Sequence, residues 1–136
     1  MKMTYGELLN KHAVLMTIGK MVLPRKASVA IARNIQKLEK EVKLYLKQRS
    51  DIAERYAKKG KDGQPINEDD KYVFETPEHE ASFLQEAKEL NETEIEIDNI
   101  MKFKSSELDR CDEVDRYQIL SPVQEAAIAW MIDYEE

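Results

Sequence analysis

The stretch KASVAIARNIQKLEKEVKLYLKQRSDIAERYAK, residues 26 to 58, decides the architecture of the chain. Within it Ile31, Ile35, Leu38, Val42, Tyr45, Ile52 and Tyr56 keep alternating steps of four and three residues, with Arg49 alone out of place. That spacing lines apolar side chains along one side of a helix as a heptad seam. A helix over 26–58 would be on the order of 50 Å long. Lys58-Lys59-Gly60 offers a basic last turn and a glycine stop. Leu46 and Ala53 widen the stripe beyond a strict two-position seam, which favours burial against more than one element of the same chain. Self-association of two copies along the seam, as a homodimer, is the other way to cover it.

Elements on either side supply candidates for that covering. Thr4 followed by Glu7 has the form of a capping box and opens a helix over about 5–18, with Leu8, Leu9, Val14, Leu15 and Ile18 inward and Gly19 as its stop. Beyond Gly60 the pattern breaks. Lys61-Asp62-Gly63 signals a turn, 64–66 reads as extended before and through Pro65, and 72–74 as a short strand. Thr76-Pro77 caps a helix over 77–91 that turns Phe83, Leu84, Ala87 and Leu90 inward. The alternation Glu94-Ile95-Glu96-Ile97 predicts a strand over 94–97, pairing with 72–74. Residues 102–116 are acidic and weakly periodic, anchored by Leu108 and Val114, and Ser121-Pro122-Val123-Gln124 opens a last helix over 122–133. The expected fold is mainly α (α+β): one domain over 1–136, a long heptad-patterned helix packed with shorter helices and a small two- or three-stranded β element.

Composition agrees and narrows the chemistry. With 136 residues, 42% hydrophobic, 35% charged and only 4 Gly and 4 Pro, the chain suits one helix-rich core. A single cysteine, Cys111, excludes an internal disulfide, and no charged-then-apolar leader opens the chain, so a reducing, cytoplasmic interior is the expected setting. The most apolar early run, from Ala13 to Leu23, is interrupted and too short for a bilayer, so no membrane partner is expected. The two histidines, His12 and His79, lie far apart and away from Cys111, which argues against zinc. No nucleophile elbow, phosphate-cradling glycine loop or His-Glu-x-x-His occurs. Acids such as Glu68, Asp69 and Asp70 read as a solvated loop before a Mg²⁺ site. No cofactor, no metal and no enzymatic activity are expected.

Taken together, Leu23-Pro24-Arg25-Lys26-Ala27, Ile31-Ala32-Arg33, Leu38-Glu39-Lys40-Glu41, Tyr56, the Lys61-Asp62-Gly63-Gln64-Pro65 turn, Glu94 to Ile97 and Leu120-Ser121-Pro122 running to Trp130-Met131-Ile132 resemble a small family of proteins of unknown function from phages and prophages of Gram-positive bacteria. The resemblance implies a viral protein expressed in a bacterial host, non-enzymatic, serving host takeover, anti-defence or virion assembly. It carries no site residues.

Charge supplies the candidate surfaces. Residues 1–61 hold 15 Lys and Arg against 5 Asp and Glu, whereas 62–136 hold 6 against 22, within a net charge of −6. The acidic half, Glu86, Glu89, Glu92, Glu94, Glu96, Asp98, Asp109, Asp112, Glu113 and Asp115, would imitate a nucleic-acid backbone to a host or antiviral-defence protein, the first expected function. A virion component self-associating along the Ile31 to Tyr56 seam is the second. Nucleic-acid binding is the third: Arg33, Lys40 and Lys47 recur every seven residues opposite the seam, flanked by Lys37 and Lys43, a stripe able to track phosphates.

Overall fold

The computed structural model describes residues 1–69 and 71–134. Its elements, in chain order, are β1 (Lys2–Thr4), α1 (Tyr5–Ile18), α2 (Arg25–Tyr56), β2 (Asn67–Glu68), β3 (Lys71–Tyr72), α3 (Pro77–Asn91), β4 (Glu94–Glu96), β5 (Phe103–Lys104), α4 (Ser106–Glu113), α5 (Pro122–Ala127) and β6 (Ile132–Asp133), with a 3₁₀ turn over Ala129–Met131. Helix α2 is the axis. The α+β architecture expected from the seam is the one observed: α1 and α3 pack along α2, and the strands form three separate two-stranded pairs.

The seam is covered from within the chain. Ile31, Leu38, Tyr45 and Ile52 are buried, and Ile35, Val42 and Tyr56 are half-buried against the same core cluster, which Leu8, Leu15 and Ile18 of α1, Phe83 and Leu90 of α3, and Ile128 and Met131 complete. Burial of each large side chain is worth about 1.5–3 kcal/mol relative to exposure. In this fold the seam side chains line the interior, and a second copy would have to displace α1 or α3 to reach them. On α2, Leu44 and Leu46, off the seam, keep about half their surface in solvent.

Local signals explain the helix starts. Thr4 and Glu7 form the reciprocal capping box that opens α1, and Ser121 and Gln124 form another at α5. Thr76 accepts from the His79 N–H at 3.1 Å, with Pro77 in the first turn of α3.

Several boundaries and pairings differ from the sequence reading, each because of a contact between distant segments. Helix α2 stops at Tyr56 and not at Lys58: Ala57 is extended, and the Lys58 N–H donates to Val73 O at 2.7 Å. Gly60 is thus no helix stop; its N–H closes a turn onto Gln64 O. The segment 64–66 bridges to that same exit strand, through Pro65 opposite Lys59, while the expected strand 72–74 shortens to Lys71–Tyr72 in a hairpin with β2. Asp69, at φ 51, occupies the hairpin turn, and Asp70 lies outside the described residues.

The strand expected over 94–97 is β4, and its partner is β1, not 72–74: Lys2 faces Glu96, Met3 faces Ile95 and Thr4 faces Glu94. Residues 106–113, with no helix expected, form α4, which buries Cys111. The last helix does not run to 133. It breaks at Ile128, and Ile132 and Asp133 pair in parallel with Phe103 and Lys104. Ile128, Met131 and Ile132 would share one side of a helix as well, so periodicity alone favours the longer helix there.

Candidate functional site

Helix α2 buries one side and presents the other to solvent. Along its outer face, Arg25, Val29, Arg33, Gln36, Lys40, Lys43 and Lys47 follow one another at steps of three and four residues, and all seven are exposed. Five of them are cations and none is an acid. At 1.5 Å per residue the run extends over roughly 33 Å. Arg33, Lys40, Lys43 and Lys47 stand where the heptad spacing put them. Lys37 leaves the stripe: it is half-buried, and its Nζ donates to Asn99 O.

What keeps the face free of acid is the placement of Glu39 and Glu41, the carboxylates of this part of α2. Glu39 Oε1 turns toward α1, 3.7 Å from His12 Nε2. Glu41 lies beside the buried Tyr5; burial first, and the Glu41 carboxylate with it, push the Tyr5 phenol above its usual value. Acidic side chains return to α2 only at Asp51 and Glu54, beyond the basic run.

At the head of the helix the positive charge thickens. A hollow of about 350 Å³ is lined by Arg25, Lys26 and Val29 from α2 and by Met101, Lys102, Phe103 and Lys104 from the segment entering and forming β5. Strand alternation explains the arrangement. Phe103 points into the core, 4% exposed, so Lys102 and Lys104 on either side of it face solvent. Val29 and Met101, about 40% exposed, give the hollow an apolar floor. The Lys-Phe-Lys alternation was visible in the sequence, but its position beside Arg25 and Lys26 was not.

The acidic residues divide between two sets of elements. Glu86, Glu89, Glu92, Glu94, Glu96 and Asp98 follow α3 and β4, whereas Asp109, Asp112, Glu113 and Asp115 belong to α4 and its exit. In the first group three are engaged. Half-buried Glu86 pairs with Arg55 at 3.2 Å, and the Glu86 carboxylate is the main cause of the upward shift of the Tyr56 phenol. Glu89 accepts from Gln85 at 3.1 Å, and Glu96 lies 3.0 Å from the Met1 amino group. Glu92, Glu94 and Asp98 are exposed. In the second group, Asp109 and Asp112 border a 180 Å³ hollow with Cys111, Leu120 and Glu125. Burial raises the Cys111 thiol above its usual value, opposite to what a reactive thiolate requires.

Among the described residues no group of three or more His, Cys, Asp or Glu is arranged to hold a metal ion, and no helix is long and apolar enough to cross a membrane. Trp130 is half-buried, its Nε1 donating to Ala127 O at 3.2 Å, whereas Tyr134 is half exposed. The chain matches no family model, no curated protein and no solved structure.

Proposed function

We propose that the protein is a non-catalytic binding module whose working surface is the outer face of α2 and whose partner is a polyanion, in the first place nucleic acid. The observation that carries this reading is the outer face from Arg25 to Lys47, where five of seven exposed positions are cations and none is an acid, with Glu39 and Glu41 turned away. A polyanion gains from such a face by releasing its condensed counterions, with no need of base-specific contacts. On the resemblance to a phage family, such a module would work in an infected bacterial cytoplasm, as an accessory that holds nucleic acid without transforming it.

Fluorescence anisotropy with short labelled DNA and RNA duplexes tests the reading. Binding at low salt that the triple reversal Arg33→Glu, Lys40→Glu, Lys47→Glu abolishes supports it. No binding at low salt removes it.

A second reading keeps the acidic half as the contact surface for a host or antiviral-defence protein. Exposed Glu92, Glu94 and Asp98, clustered in sequence around β4, favour it. Its support is narrower than the sequence suggested, because Glu86, Glu89 and Glu96 are already engaged and the α4 acids lie on a separate element. Charge reversal at Glu92 and Glu94 that abolishes capture of a basic protein, with nucleic-acid binding absent, would select this reading over the first.

A further inference from the structure

The hollow at the head of α2 differs from the rest of the basic face in two respects. Along the helix, cations follow one another at roughly one per turn, whereas here Arg25, Lys26, Lys102 and Lys104 border one concavity. The hollow also has an apolar floor, Val29 and Met101, that a tracked phosphate backbone would not use. Convergent cations suit a group with more than one negative charge, and a terminal phosphate monoester carries about −1.5 to −2 at neutral pH where an internal diester carries one. The amino end of α2 adds to this field: Pro24 supplies no side-chain cap, and the first turn holds no acid. Among the described residues no carboxylate forms an ion pair with Arg25, Lys26 or Lys102.

We infer that this hollow holds a phosphate monoester borne on a nucleoside, with the phosphate among Arg25, Lys26 and Lys102 and the nucleoside against Val29 and Met101. Resting on the proposed binding of nucleic acid, the source is the phosphorylated end of a strand, and the protein is an end-binding module and not a uniform coat. Phe103 borders the hollow too, but it is buried in the core, so the exposed apolar floor is Val29 and Met101 and recognition falls on the phosphate and not on base identity.

The experiment compares labelled single strands of one sequence carrying either a 5′-phosphate or a 5′-hydroxyl, with adenosine 5′-monophosphate as a separate probe followed by protein NMR shifts. The 5′-phosphate should tighten binding by roughly tenfold. Lys102→Glu should erase that gain while leaving the hydroxyl-ended strand bound, and Lys102→Gln should erase part of it; Lys102 is exposed and outside the α2 stripe, so neither change disturbs the core. Equal affinity for the two strands overturns the inference and leaves the polyanion reading standing. Strands that fail to bind while the monophosphate shifts Lys102 and Met101 resonances overturn the polyanion reading and make a free nucleotide the source. No response to either probe overturns both.

Discussion

Asn34, completely buried in α2, holds the backbone of Met101 by both of its polar groups: Asn34 Nδ2 donates to Met101 O at 2.8 Å, and the Met101 N–H donates to Asn34 Oδ1 at 2.9 Å. The amide fixes the segment that carries Lys102, Phe103 and Lys104 against the first half of α2. It thereby joins a core position to the geometry of the basic hollow. No other side chain in the core of the described residues is both polar and fully buried.

Replacing this residue should therefore act on stability and on the hollow together. Asn34→Ala leaves two backbone groups of Met101 without their partner and should cost about 2 kcal/mol. Urea unfolding measures the loss. NMR shifts of Lys102 to Lys104 should move in the same variant while those of α3 stay in place.

Tyr45 sits at the crossing of three elements. Its ring lies 5.4 Å from that of Tyr5, and its hydroxyl donates to Asn91 Oδ1 at 2.6 Å at the end of α3. Tyr45→Phe keeps the ring contact and removes the hydrogen bond, for an expected loss of about 1 kcal/mol. Tyr45→Ala removes both and should cost about 3–5 kcal/mol. Equal effects of the two changes in urea unfolding would show the hydroxyl, and not the packing, to be dominant.

Coverage of the seam within the chain can be separated from coverage by a second copy. Leu38→Ala opens a cavity at a site with no exposed surface and should destabilise by about 3 kcal/mol, independently of protein concentration. Leu46→Ala, at a site 54% exposed, should change stability by no more than about 0.5 kcal/mol. A concentration-dependent midpoint for the wild-type chain would contradict intramolecular coverage.

Cys111 offers a pH test. Burial holds its thiol above the ordinary value, so less thiolate is present at a given pH than for a free cysteine. Reaction with a disulfide reagent at neutral pH should be slow in the native protein and rise to the free-thiol rate in denaturant. Because a thiol raised in the folded state favours the protonated form, any contribution to stability is present below the unfolded thiol value and fades as pH climbs through the folded one.

Much of the architecture was legible because it is local. The steps of Ile31, Ile35, Leu38, Val42 and Tyr45 specify a helical seam whatever covers it, and the pairs Thr4 with Glu7 and Ser121 with Gln124 name helix starts without reference to the rest of the chain. What was not legible depends on distant partners. Nothing in Glu94 to Ile97 says that it pairs with Lys2 to Thr4 and not with the stretch near Tyr72, and nothing in Ile132 announces a parallel pairing with Phe103. The candidate surfaces divide in the same way. Arg33, Lys40, Lys43 and Lys47 could be read from helical spacing alone, whereas the withdrawal of Lys37 to Asn99, the turning of Glu39 toward His12 and the grouping of Lys102 with Arg25 all require the folded chain. The summed charge of the acidic half carries no positions, so it could not divide Glu86 to Asp98, along α3 and β4, from the acids of α4 and its exit.

The most direct measurement is the salt dependence of duplex binding by the wild-type chain and by the triple reversal of Arg33, Lys40 and Lys47. With up to five cations along the outer face of α2, the logarithm of the wild-type association constant should fall against the logarithm of salt concentration with a slope of about −3 to −4, and the reversal should abolish binding. Affinity that ignores salt, or that survives the reversal, would contradict a working surface on α2.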